Sequence, residues 1–202
     1  MAPRFIARQL ARPQGFTGRV VGRLMNWHNA DMNAFAVQCL ELEASDHVLE
    51  IGFGGGLNLP ALLQSAAFVA GVDHSADVID WAKAKYREAI ATGRAEFRAG
   101  RVEALPFEAA SFDKVCTVNT LYFWESLHTG FAEIRRALVP GGRAFIGFLP
   151  KAHMQRKRMP PDIFTLRTVE DVLGALGKAG FRDVRTERPE PDTPWNVMVA
   201  TG

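Results

Sequence analysis

From residue 47 onward the chain alternates two patterns. Short aliphatic runs are followed by stretches whose apolar positions recur every three or four residues. "HVLEIG" (47–52), "AFVAGVD" (67–73), "AEFRAG" (95–100), "FDKVCTVN" (112–119) and "RAFIGFL" (143–149) read as strands. Between them "LNLPALLQSA" (57–66), "SADVIDWAKAKYREAIATG" (75–93) and "SLHTGFAEIRRALVPGG" (126–142) read as helices. The second is opened by Ser75 and closed by Gly93, and the third is stopped by Pro140 and the glycine pair after it. Such alternation predicts βαβ units, a parallel sheet and right-handed crossovers.

The rhythm differs at both ends. Residues 1–16, broken by Pro3, Pro13 and Gly15, read as a loose arm. From Thr17 to Leu42 apolar residues fall at Val20, Val21, Leu24, Met25, Met32, Phe35, Ala36, Cys39 and Leu40, the spacing of one or two amphipathic helices. At the other end "TVEDVLGALGKAG" (168–180) is a helix whose Thr168 and Asp171 form a capping-box pattern. "FRDVRTERPE" and "WNVMVATG" then follow with a short loop between them, too short for a parallel crossover, so they pair antiparallel. The expected fold is α/β: a doubly wound, Rossmann-like, seven-stranded mixed sheet with an antiparallel C-terminal hairpin. Residues 1–44 are expected to form an arm and helical lid, and 45–202 the main body of one structural domain.

Composition narrows the classes. In 202 residues, 48% are hydrophobic and 23% charged, an ordinary profile for a globular chain, with no internal repeat or low-complexity tract. No apolar run approaches the ~20 residues of a membrane span, and "MAPRFIARQLARP" lacks an apolar secretory core, so a cytoplasmic location is expected. Cys39 and Cys116 have no metal-ligand spacing and read as reduced thiols; no metal site is expected. The net charge of +2 is unevenly spread. Arg4, Arg8, Arg12, Arg19 and Arg23 precede the first acid, Asp31, and "KAHMQRKR" (151–158) forms a second basic cluster. These read first as solvated segments and second as a cationic rim facing an anionic acceptor or a membrane surface.

The densest chemical signal is "HVLEIGFGGGLNLP" (47–60), with four glycines in five positions and Glu50 two residues before the first. Glycines after a strand allow positive φ and let backbone approach a ligand closely, at the sheet edge where open α/β folds bind ligands. The spacing is G-x-G-x-G, with Leu57 where a dinucleotide fingerprint has its third glycine. With its neighbours this stretch resembles the class I S-adenosylmethionine-dependent methyltransferases. "VLEIGFGGG" is similar to that family's first motif, and Asp73 stands where the family keeps the acid that binds both ribose hydroxyls. "GRVEALPFEAASFDKV" resembles its adenine-side segment, "LVPGGRAFIGF" its turn into strand five, and "AGFRDVR…WNVMVA" its final hairpin.

The resemblance, which covers roughly residues 45–202, implies an enzyme that uses S-adenosylmethionine and yields S-adenosylhomocysteine. It implies a cofactor set of Glu50, Gly52, Phe53, Gly54, Gly56, Asp73, His74, Arg101, Val102, Glu103 and Asn119. An ionised carboxylate accepts from two hydroxyls at once, which suits Asp73. Glu50 would lie under the methionine end. Arg101 departs from the family, which often has an acid there to accept from the adenine amino group. Arginine can only stack on the ring, leaving Glu103 as the substitute acceptor and the Val102 backbone as a further contact.

For the acceptor side, "NTLYFWES" (119–126) follows strand four at the same edge, with Tyr122 and Trp124 as candidates for an aromatic wall. Packing beneath the next helix is the alternative for these rings. "MNWHNADMN" (25–33) makes Trp27 a candidate lid and His28 a candidate general base, with Tyr122 the second catalytic candidate. In-line transfer from a sulfonium needs orientation more than a dedicated catalytic residue. The expected activity is methylation of a small molecule, with acidic groups favoured by the basic loop, by a monomer or homodimer. The alternatives are a phospholipid or nucleic-acid methyltransferase using the basic arm and loop, and a non-catalytic S-adenosylmethionine-binding regulator. A nucleic-acid partner is not expected, and membrane-surface contact is not favoured.

Overall fold

The computed structural model describes residues 4–11, 29–157 and 159–202. Of the amphipathic stretch over 17–42, residues Ala30–Leu40 form a helix (α2), while 17–28, including Trp27 and His28, lie outside the described residues. The expected loose arm is a helix over Arg4–Ala11 (α1). Its run lies between Pro3 and Pro13 and contains no helix breaker, and packing holds it: Ala7 is fully buried and Arg4 pairs with Asp162.

The aliphatic runs are strands. β1 (His47–Ile51), β2 (Phe68–Asp73), β3 (Ala95–Ala99) and β4 (Phe112–Val118) alternate with α3 (Leu59–Ser65), α4 (Ala76–Lys85), α5 (Arg87–Ala91) and α6 (Leu127–Ala137). β5 (Leu138–Phe148) leads through a short helix α7 (Lys151–Met154) to α8 (Val169–Lys178), β6 (Arg182–Glu187) and β7 (Asn196–Thr201). The capping box of α8 is formed: Thr168 N donates to Asp171 Oδ2 (2.8 Å) and Asp171 N to Thr168 Oγ1 (3.0 Å).

Two elements differ from the sequence pattern. The helix expected over 75–93 breaks at Tyr86, whose ring stacks on Phe97 (5.7 Å) and meets Trp81 edge-on (6.2 Å). Helix α6 ends at Ala137, before Pro140, because a proline disfavours helical backbone at the residue ahead of it. Leu138 is already extended, is buried, and pairs with Phe112. The Gly141–Gly142 pair therefore lies inside β5, where the register with β4 shifts between Phe112 and Lys114, and Gly141 takes φ +80.

The seven strands pair in the order β3-β2-β1-β4-β5-β7-β6, parallel from β3 to β5. β7 is antiparallel to both β5 and β6, with Phe148 opposite Asn196. Both faces of the sheet are covered, which is why its central strands read as continuous apolar runs. Leu49, Ile51, Val72 and Ile146 pack with α6, α8 and Ala7 of α1. Val48, Val69, Phe145 and Val199 pack with α2, α3 and α4. The carboxyl ends of β1, β2, β4 and β5 meet at one edge, with the start of β7 alongside them. Among the described residues, no helix is long and apolar enough to cross a membrane.

Candidate active site

Where β1 ends the chain turns through Gly52 (φ +68), Gly54 (φ +48) and Gly56 (φ +66). These glycines do different work. A Cβ on Gly52 would lie 2.5 Å from Thr120 Cγ2, and one on Gly56 would lie 2.7 Å from Trp81 Cη2. A Cβ on Gly54 would meet nothing within 4 Å. Two glycines are thus required by close packing, and Gly54 faces open space. Gly52 N donates to Val72 O (2.7 Å), tying the turn to the end of β2.

Asp73, the last residue of β2, is only 5% exposed. Its Oδ2 accepts from Gly54 N (3.0 Å) and its Oδ1 from Ser75 N (2.9 Å). Burial pushes its carboxyl above the ordinary range, against the pull of those N–H groups and of His74, whose Nδ1 lies 3.8 Å from Oδ1. A carboxylate offers about four acceptor positions, so the backbone N–H groups of Gly54, Ser75 and His74 leave acceptor capacity for a further donor. Glu50, beneath the turn, is also 5% exposed. Asn58 Nδ2 donates to its Oε1 (2.8 Å), while Oε2 is buried with no partner. Burial, with a lesser contribution from the charge of Asp73, pushes the Glu50 carboxyl up to about 8.

The β4 end adds a third wall. Asn119 sits at φ +59, and its N–H donates to Gly147 O (2.8 Å). Thr117 Oγ1 donates to Ile51 O (3.0 Å) and lies 2.5 Å from Thr120 Oγ1, so a hydroxyl pair supports the methyl group that Gly52 packs against. Asn58, Thr117 and Thr120 were not singled out from the sequence. The signal for Asn58 was present, since a carboxylate in an apolar strand requires a buried partner.

Several sequence candidates are placed otherwise. Tyr122 is 3% exposed, and its hydroxyl accepts from Leu149 N (2.7 Å) and lies 3.1 Å from Leu149 O and 3.2 Å from Asn119 Oδ1. Burial raises its pKa further, so it is a structural bridge between β4 and β5 with no open face for a catalytic base. Trp124 is no pocket wall: it is buried edge-on against Phe131 (5.2 Å), over Gly130, where a Cβ would come within 2.8 Å of its ring. The Phe53 ring points into the core against Phe97 (5.5 Å), which leaves only its backbone at the turn. Glu103 does not stand free as an adenine acceptor. Its Oε1 accepts from Glu125 N (2.7 Å), and Arg101 pairs with Glu125 (2.7 Å) and lies 3.7 Å from Glu103. Val102 is buried beside Gly130, again leaving its backbone as the available group.

A mixed sheet of this order, with a glycine turn after β1 and a buried acid at the end of β2, defines a Rossmann-like α/β protein. Residues 49–146 match the family model described as a methyltransferase domain. The chain is 28% identical over 134 residues to the uncharacterized methyltransferase YdaC of Bacillus subtilis, covering 65% of this chain and 72% of that one. It is 27% identical over 115 residues to the ubiquinone/menaquinone biosynthesis C-methyltransferase UbiE of Geotalea daltonii, covering 55% and 49%. The chain spans about half the length of several of the curated relatives it matches. A chain solved in complex between the Haloferax volcanii Trm112 methyltransferase activator and a methyltransferase superposes with TM-score 0.72 at 20% identity, covering 89% and 92%. The chain thus carries a methyltransferase-domain match over just under half of its length and is similar to the class I S-adenosylmethionine-dependent methyltransferases.

Proposed function

We propose that this methyltransferase binds S-adenosylmethionine across the Gly52–Gly56 turn and transfers its methyl group to a small-molecule acceptor. The observation that carries the reading is Asp73, a buried carboxylate with acceptor capacity left, beside the open face of Gly54. Its free lone pairs match a ribose diol, and the absence of a side chain at Gly54 allows close approach of the nucleoside. The buried, unpartnered Oε2 of Glu50 fits the methionine end, whose ammonium is a donor. When bound, the cofactor supplies a methyl group already activated on a sulfonium. What the protein contributes is orientation: Asp73 holds the sugar, Glu50 steadies the turn through Asn58, and Asn119 borders the acceptor side. A small-molecule acceptor is supported by relatives such as UbiE, named for quinone biosynthesis.

Isothermal titration with S-adenosylhomocysteine tests the cofactor site. Asp73→Ala is expected to bind about tenfold or more weakly than the native chain, the loss of charge-assisted bonds to two hydroxyls. Equal affinity would sink the ribose assignment. Tritiated-methyl transfer into metabolite, lipid and nucleic-acid extracts then reads the acceptor class, and label found only in lipid or nucleic acid overturns the small-molecule reading.

A further inference from the structure

A groove of about 330 Å³ opens at the same edge of the sheet, where β5 ends and β7 begins. Its apolar walls include Pro150, Val169, Pro191 and Pro194, and its polar side chains are His153, Arg188, Asp192 and Thr193. The guanidinium is held in place: Arg188 Nε donates to Oδ1 of Asn196 (2.5 Å), itself only 1% exposed. That leaves the two terminal amino groups of Arg188 as a planar fork of donors. Two buried polar atoms of the residues around the groove have no partner, Nδ1 of His153, which lines it, and Nδ2 of Asn196, which holds Arg188. Unpaired buried polar atoms near an anchored arginine call for an explanation, and a polar ligand group in the groove supplies one.

Three features set the chemistry of that group. A guanidinium fork matches the two oxygens of a carboxylate. Asp192 adds a negative charge to the same wall, which disfavours a dianion more than a monoanion. The proline and valine walls favour an apolar body. Strands lie about 4.8 Å apart, so Asn196 of β7, which holds Arg188, is roughly 10 Å across the sheet from Asn119 at the end of β4, about the length of an arylalkanoic acid. We infer that the groove binds the carboxylate of the methyl acceptor, an apolar monocarboxylic acid, on Arg188 and His153. This rests on the methyltransferase reading above for the identity of the ligand as an acceptor.

The full chain is titrated with 3-phenylpropanoate, its amide and inorganic phosphate, followed by saturation-transfer NMR, and separately with S-adenosylhomocysteine by calorimetry. The acid is expected to bind, with the amide and phosphate weaker. Arg188→Gln should weaken the acid by about tenfold to a hundredfold, the range for a charge-assisted pair, and Arg188→Lys should recover part of it. S-adenosylhomocysteine affinity should be unchanged in both variants, while the urea midpoint should fall in Arg188→Gln, which leaves the buried Oδ1 of Asn196 without its donor. Failure of the native chain to bind the acid, equal binding of acid and amide, tighter binding of phosphate, or undiminished binding by Arg188→Gln overturns the inference. Loss of S-adenosylhomocysteine binding by the native chain overturns the cofactor reading instead, so the two failures are separable.

Discussion

Replacing Glu50 by Gln should change the pH dependence of stability in a calculable way. The side chain is buried, with one oxygen bonded by Asn58 and the other unpartnered. Burial raises its pKa from 4.5 to about 8. Between those values the folded protein keeps a proton that the unfolded chain has released. Stability therefore falls as pH rises from about 4.5 to about 8 and is independent of this group above that. At about 1.4 kcal/mol per pH unit, the full penalty at high pH is on the order of 5 kcal/mol. Gln is a neutral stand-in for the protonated acid: its carbonyl can accept from Asn58 as Oε1 does. Urea unfolding at pH 5, 6.5 and 8 is the assay. The two proteins should be nearly equal at pH 5 and diverge as pH rises, with Glu50→Gln the more stable at pH 8. A shallow fall should persist in the variant, since the raised carboxyl of Asp73 acts with the same sign. Parallel curves for the two proteins would refute the assignment of a buried, proton-holding Glu50.

The turn and the β4–β5 bridge yield further tests. Gly52→Ala forces φ +68 on a residue with a Cβ and drives that Cβ to 2.5 Å from Thr120, while Gly54→Ala bears only the backbone cost at φ +48. Urea titration should show Gly52→Ala less stable than Gly54→Ala by about 1–3 kcal/mol; equal losses would contradict the division of labour among the glycines. Tyr122→Phe leaves Leu149 N without its acceptor and should cost about 1–3 kcal/mol of stability. The pH profile of methyl transfer should keep its shape in that variant, and a displaced limb would return Tyr122 to the role of proton acceptor.

Much of the architecture was legible in the sequence because the signals are local. Aliphatic runs buried on both faces, the Thr168–Asp171 cap and the short loop between the last two strands each act within a few residues. The positions of Glu50, Asp73 and the glycines followed likewise, since a strand's end sets where its loop must lie. What each side chain does there was settled by residues distant in sequence. Glu50 needed Asn58 eight positions on, and Gly52 needed Thr120. Trp124 turned inward because Gly130 leaves space over α6, and Tyr122 because the backbone of Leu149 offers its hydroxyl both a donor and an acceptor. Residue type and periodicity determined which groups reach the sheet edge. Whether a group there faces ligand or core depends on filling volume and pairing buried polar atoms, and both are satisfied only when the strands are side by side.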